Sequence, residues 1–148
     1  MAGNKRVTVD VKGLETLQKF LEKNKTSVRV GVFDERNALI GVVHEFGSKK
    51  RSIPKRSFLR MPLEKELPKK LRKLKLKSIE ELKSSKLEQL FHTIGGMAIA
   101  AIGDAFATGG FGLWATLNEK YTQRKKVNDI LVESTQLRDA IQYEIKEK

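Results

Sequence analysis

The chain has 148 residues, 39% hydrophobic and 32% charged, with a formal net charge of +12, a length and balance that fit one folded domain with a real core. It contains no cysteine, which excludes disulfides, thiolate nucleophiles and cysteine-ligated zinc and suits folding in a reducing compartment. The charge is concentrated: residues 49–77 hold 13 Lys+Arg against two acids, Glu64 and Glu66, a local net of +11, while the remainder nets to +1.

Met1-Ala2-Gly3-Asn4-Lys5-Arg6 leads directly into an alternating segment with no apolar h-region, so export by a signal peptide is not expected. Val7, Val9 and Val11 alternate with Arg6, Thr8, Asp10 and Lys12, which predicts a half-buried strand over about 5–12. Gly13 breaks the alternation. Leu14, Leu17 and Leu21 then recur at i, i+3, i+7 beside Phe20, the stripe of a short helix that Asn24 ends. Val28, Val30 and Val32 predict a second strand before a turn at Asp34, giving a β-α-β start.

Ala38, Leu39, Val42, Val43 and Phe46 have helical spacing over about 37–46, with Asn37 suited to capping the first turn and Gly47 to the left-handed position after the last. Residues 47–60 carry Gly, Ser, Pro and six cations with little apolar periodicity, so ordering them gains little burial against its entropy cost; an exposed, mobile loop is expected. From Pro62 to Leu82 helical spacing returns in Leu63, Leu67, Leu71, Leu74 and Leu82, with a break at Pro68.

Leu87, Leu90, Phe91, Ile94, Ala98, Ala101, Ile102, Ala105 and Phe106 form the longest apolar stripe in the chain and predict the main core helix over about 84–107, with Leu90, Ile94, Ala98, Ile102 and Phe106 buried along one face. The most apolar part, residues 94–106, contains Asp104 and several glycines and falls short of the roughly 20 residues a bilayer requires, so no membrane span is expected. Thr108-Gly109-Gly110-Phe111-Gly112 ends the helix, and Trp114 is placed to staple the following loop to the domain. A polar helical turn around 118–126 follows. Residues 137–145 fit strand alternation (Ile141, Tyr143, Ile145) and helical spacing (Leu137, Ala140, Ile141, Glu144) about equally. The chain reads as one α+β domain over residues 1–148.

Chemistry is sparse. Only His44 and His92 could supply imidazole, and neither has spacing that brings further metal ligands onto its face. His44 and Glu45 are helix neighbours pointing in different directions, which argues for a solvated helix face over an acid-base pair. The glycines at 109–112 lack the Gly-Lys-Ser/Thr ending of a phosphate-binding loop and follow a helix, not a strand. No catalytic constellation, cofactor motif or metal motif is present, and the chain is not expected to be an enzyme.

Two groups of residues carry a resemblance. His44-Glu45-Phe46-Gly47, followed by Ile53-Pro54-x-Arg56-x-Phe58-Leu59-Arg60 and preceded by the strand Val30-Gly31-Val32, resembles the phage virion morphogenesis and tail-completion family. In the second half Gly112-Leu-Trp114-Ala-Thr-Leu117, Thr122-x-x-Lys125 and residues 130–138 are similar to that family's later motifs, in the same order. Gln136 stands where the family typically has glycine and Ser57 where proline is common, departures that bear on local turns.

The resemblance implies an α+β fold in which a small, mainly antiparallel sheet packs on a long core helix with shorter helices and an exposed basic loop, and a strand at about 140–146. It implies a structural subunit of the head-tail connection, in the virion neck or tail and made in the host bacterial cytoplasm. Its partners would be copies of itself in a ring and the adjoining connector and tail proteins. An acidic neighbouring subunit can order a cationic loop, with Phe58 and Leu59 as apolar anchors inside a rim of Lys49, Lys50, Arg51, Arg56 and Arg60. On that reading, replacing Arg56 and Phe58 leaves the monomer folded and blocks head-to-tail joining. The alternative is a small DNA-binding protein whose residues 49–77 contact phosphates without reading sequence.

Overall fold

A computed structural model describes residues 19, 22, 26–74, 86–119, 123 and 135–147. The strand expected at 5–12, most of the helix expected after it, and the motif residues Thr122, Lys125 and 130–134 lie outside the described residues. In chain order the elements are β1 (Ser27–Val32), α1 (Glu35–Phe46), α2 (Arg60–Lys65), α3 (Leu67–Leu71), α4 (Lys86–Ala107), α5 (Thr135–Asp139) and β2 (Ile141–Lys146). The fold is α+β, with an antiparallel two-stranded sheet packed on the long helix α4.

The strands pair in the register Val28↔Ile145, Val30↔Tyr143, Val32↔Ile141, with Arg29↔Glu144 between them. Side chains alternate across a sheet, so the apolar pairs share one face, and Val30, Val32 and Ile141 join the core. Arg29 and Glu144 share the other face, where they form an ion pair of 2.9 Å while Arg29 also lies over the Phe33 ring. This register resolves the C-terminal ambiguity: α5 uses the helical spacing around Leu137, which is fully buried, and the chain turns into a strand at Ile141.

Ala98, Ala101, Ile102, Ala105 and Phe106 of α4 are buried as expected, but Leu90 and Ile94, in its first half, are only half-buried. The helix, Lys86–Ala107, matches the expected 84–107, but its apolar stretch is longer than residues 94–106. Leu87–Ala107 spans 21 residues and is apolar and long enough by itself to cross a membrane. Here its apolar face is occupied by β1, β2, α2 and α3, and Lys70 of α3 reaches Asp104 at 2.8 Å.

Close approach of helix and sheet depends on Gly95, where a Cβ would overlap the Tyr143 ring. At an open helical site Gly→Ala gains up to about 1 kcal/mol. At this one the overlap dominates, and Gly95→Ala is expected to destabilise by about 1–3 kcal/mol in urea unfolding.

Helix α1 begins earlier than its apolar spacing suggests. Asp34, not Asn37, is the N-cap: its carboxylate accepts from the Asn37 backbone N–H at 2.9 Å, and the Asn37 side chain donates to the same carboxylate. Asp34 precedes the first apolar residue by four positions, so reading the start from the stripe misses the first two helical residues. Gly47 does take a positive φ of 76° after the last turn. The break expected at Pro68 falls just before it, at Glu66, leaving Pro68 in the first turn of α3, where its missing N–H costs nothing.

Candidate functional site

The motif residues of the two halves of the chain meet where the basic loop returns to the core. After Gly47 the backbone makes a tight turn closed by an antiparallel bridge, Ser48 N–H to Ile53 O at 2.8 Å and Ile53 N–H to Ser48 O at 2.9 Å. Lys49, Lys50 and Arg51 sit on this turn with exposed side chains. The chain then folds back on the end of α1, where Arg56 N–H donates to His44 O at 2.8 Å.

From here the loop is not exposed. Arg56, Ser57 and Phe58 are 6%, 9% and 0% exposed, which corrects the expectation of a solvated loop over the whole of 47–60. The cause is Glu45. Only 6% exposed itself, its carboxylate accepts from Ser57 Oγ at 2.6 Å and from the backbone N–H groups of Phe58, Leu59 and Arg60 at 2.8, 3.0 and 3.3 Å. The Leu59 and Arg60 N–H groups are among the donors left unsatisfied at the start of α2, whose N-cap, Leu59, has no side chain able to serve them, and the Phe58 N–H lies just before it. A carboxylate from α1 caps α2 in its place, and the positive end of the short helix favours the anion. Ser57 Oγ completes the cap by accepting from Met61 N–H at 3.0 Å.

Arg56 ties this node to the second half of the chain. Its Nε donates to Ala115 O at 3.1 Å and its Nη2 to Thr116 O at 3.3 Å. Between the two segments Trp114 donates from Nε1 to Ser57 O at 3.3 Å and stacks edge-on against Phe106, which in turn contacts Phe58, both ring pairs at 5.7 Å. Trp114 is thus the staple expected from sequence. Its ring covers Gly110, whose φ of 68° and lack of a Cβ are both required.

Four of the seven residues expected at an assembly surface, Lys49, Lys50, Arg51 and Arg60, are exposed; Leu59 is half-buried against the core. Phe58 is a core residue and Arg56 a buried tie, so neither side chain is free to anchor a partner, and the expectation that both can be replaced without harm to the monomer is overturned. Glu45, expected on a solvated face, is instead the centre of the node. One signal for it was available: an acid in the last turn of a helix opposes the helix dipole, so its presence beside the Gly47 cap calls for another purpose.

His44 is the node's histidine. It is half-buried, and its Nδ1 is enclosed without a hydrogen-bond partner among the described residues. Burial, followed by the nearby Arg56 cation, lowers its pKa below the usual 6.5. The folded chain therefore resists the proton that the unfolded chain takes up, so this contribution to stability is present above 6.5 and lost as pH falls below it. The urea midpoint should decrease between about pH 7 and pH 5, with a shallower decrease in His44→Gln; equal slopes in the two proteins would remove His44 from the account.

His92, the other histidine, lies on α4 with Nδ1 3.1 Å from Tyr143 Oη. Among the described residues no group of three or more His, Asp or Glu is arranged to hold a metal ion. Compared with protein-family models, curated proteins and solved structures, the chain matches none.

Proposed function

We propose that the chain is a structural subunit of a tailed-phage particle that acts at the head-tail connection by assembling into a ring and contacting the adjoining connector and tail proteins. The observation that carries this reading is the convergence of the motifs behind the family resemblance. Glu45 of His44-Glu45-Phe46-Gly47 holds the backbone of Phe58-Leu59-Arg60, and Arg56 and Ser57 hold the segment around Trp114. Residues chosen by pattern at three separate places form one bonded unit, which supports reading them as parts of a single inherited design. The unit fixes the base of an exposed cationic turn, as a subunit built for contact with neighbours requires.

Electron microscopy of the full chain co-expressed with its genomic neighbours tests the proposal. Rings containing the chain at a head-tail junction are the expected result. A chain that stays monomeric and is absent from particles overturns it.

The second reading, binding to the phosphates of DNA, is favoured by one feature: Lys49, Lys50, Arg51, Lys55, Arg60, Lys65, Lys69, Arg72 and Lys73 are all exposed. Binding to arbitrary duplex that weakens steeply with salt yet persists at physiological ionic strength would support it over assembly.

A further inference from the structure

Helix α1 buries Gly41 and Glu45 and leaves a different face bare. Leu39, Val42 and Phe46, spaced i, i+3, i+7 on that face, are 66%, 55% and 65% exposed. Three large apolar side chains in one exposed row are unusual, and such a row rimmed by polar groups marks a contact surface. The rim has a definite sign. Immediately after Phe46 the chain forms the bridged turn from Ser48 to Ile53, carrying exposed Lys49, Lys50 and Arg51, with exposed Lys55 next to it.

We propose that this face of α1 together with the 48–55 turn is the docking surface for a different protein, one that presents an apolar helical stripe flanked by carboxylates. The inference rests on the assembly reading above and names the surface and the partner's chemistry. Nucleic acid does not fit the face, because phosphates and sugars leave an aliphatic and aromatic row without a counterpart. A second copy fits poorly as well. With the two helices parallel across a two-fold axis, Lys49, Lys50, Arg51 and Lys55 would face the same four cations; antiparallel, they would meet Asp34 and Glu35 beside Arg36, one net negative charge against four positive. Complementary charge fixes register and rejects wrong partners. On this surface it selects an acidic one, with Phe46 placed where the apolar row meets the cations.

The test uses the full chain, isotope-labelled for NMR, and two synthetic amphipathic helical peptides with the same Leu/Phe stripe, one flanked by glutamates and the other by lysines. The glutamate peptide is expected to shift the amides of Leu39, Val42, Phe46 and residues 49–51, and to bind at least about tenfold more tightly than the lysine peptide. The variant Leu39→Ser/Val42→Ser, whose altered positions are exposed, should retain its circular dichroism spectrum and lose about tenfold in affinity for the glutamate peptide. Equal binding of the two peptides, shifts confined to other surfaces, or unchanged affinity in the variant would overturn the proposal. So would sedimentation showing that the wild type self-associates through this face and the variant does not. The outcomes separate from those of the assembly reading. A variant that still joins particles, with peptides that do not bind, removes this surface alone, whereas peptide binding by a chain absent from particles removes the assembly role alone.

Discussion

Glu45→Ala is expected to cost about 3 kcal/mol or more of unfolding free energy, a large share of the 5–15 kcal/mol that holds a typical domain. The carboxylate accepts four hydrogen bonds in a place that is 6% exposed. Alanine leaves three backbone N–H groups at and just before the start of α2 without their acceptor, and water reaches them only if the loop moves away. Unmade bonds to buried groups cost about 1–3 kcal/mol each, reduced by whatever solvent the relaxed loop admits. Glu45→Gln should fall between, because its amide keeps one oxygen but turns an NH2 donor toward groups that are themselves donors. Urea denaturation with an unchanged m-value would isolate the effect. A Glu45→Ala midpoint equal to that of the wild type would mean that the carboxylate is solvated in solution and does not cap α2.

The parts of the fold readable from sequence are those in which one periodicity dominates. β1 and α4 announce themselves by strict alternation and by a long apolar stripe, because each presents a face to the same core. The 108–112 turn was readable for a related reason, since consecutive glycines after a helix admit few conformations. β2 was not separable from a helix by spacing. Its assignment depends on pairing with β1, a partner more than a hundred residues away, and local pattern carries no information about that contact.

The site is less legible, because the cations of the loop dominate its composition. Residues 47–60 look unburiable when each charge is assumed to need water. The structure instead divides the segment at Pro54: the turn before it keeps Lys49, Lys50 and Arg51 in solvent, while Arg56 finds two carbonyls and Ser57 and Phe58 find Glu45. A buried polar residue whose partners are backbone groups leaves no pattern in composition or periodicity. The reverse error applies to α1, where Leu39, Val42 and Phe46 entered the helical stripe as if bound for the core and are instead exposed. Spacing identifies an apolar face, but it does not say whether the chain's own core or another protein covers it.

Phe58→Ala is expected to destabilise the monomer by about 3–5 kcal/mol, the usual cost of emptying a buried aromatic site. Phe58 is fully buried, contacts the Phe106 ring at 5.7 Å and belongs to the cluster formed with Ile102, Ala105, Trp114, Leu137 and Ile141. Its neighbours come from α4, from the segment after it, and from α5 and β2, so the cavity would lie where separate elements meet and could not be closed by a shift of one of them. Phe58→Leu should cost less, since it refills much of the volume. Any loss of assembly in a Phe58 variant is then a folding defect first, and cannot by itself map an interface. Lys49→Ser, Lys50→Ser and Arg51→Ser change exposed side chains and should each move stability by no more than about 0.5 kcal/mol, so on the proposed assembly role a failure of particle joining in those variants would report on contact. Thermal unfolding of the Phe58→Ala chain and of the triple serine variant, measured side by side, makes the distinction. A Phe58→Ala chain as stable as the wild type would return residue 58 to the surface, and with it the role of anchor that the buried ring now excludes.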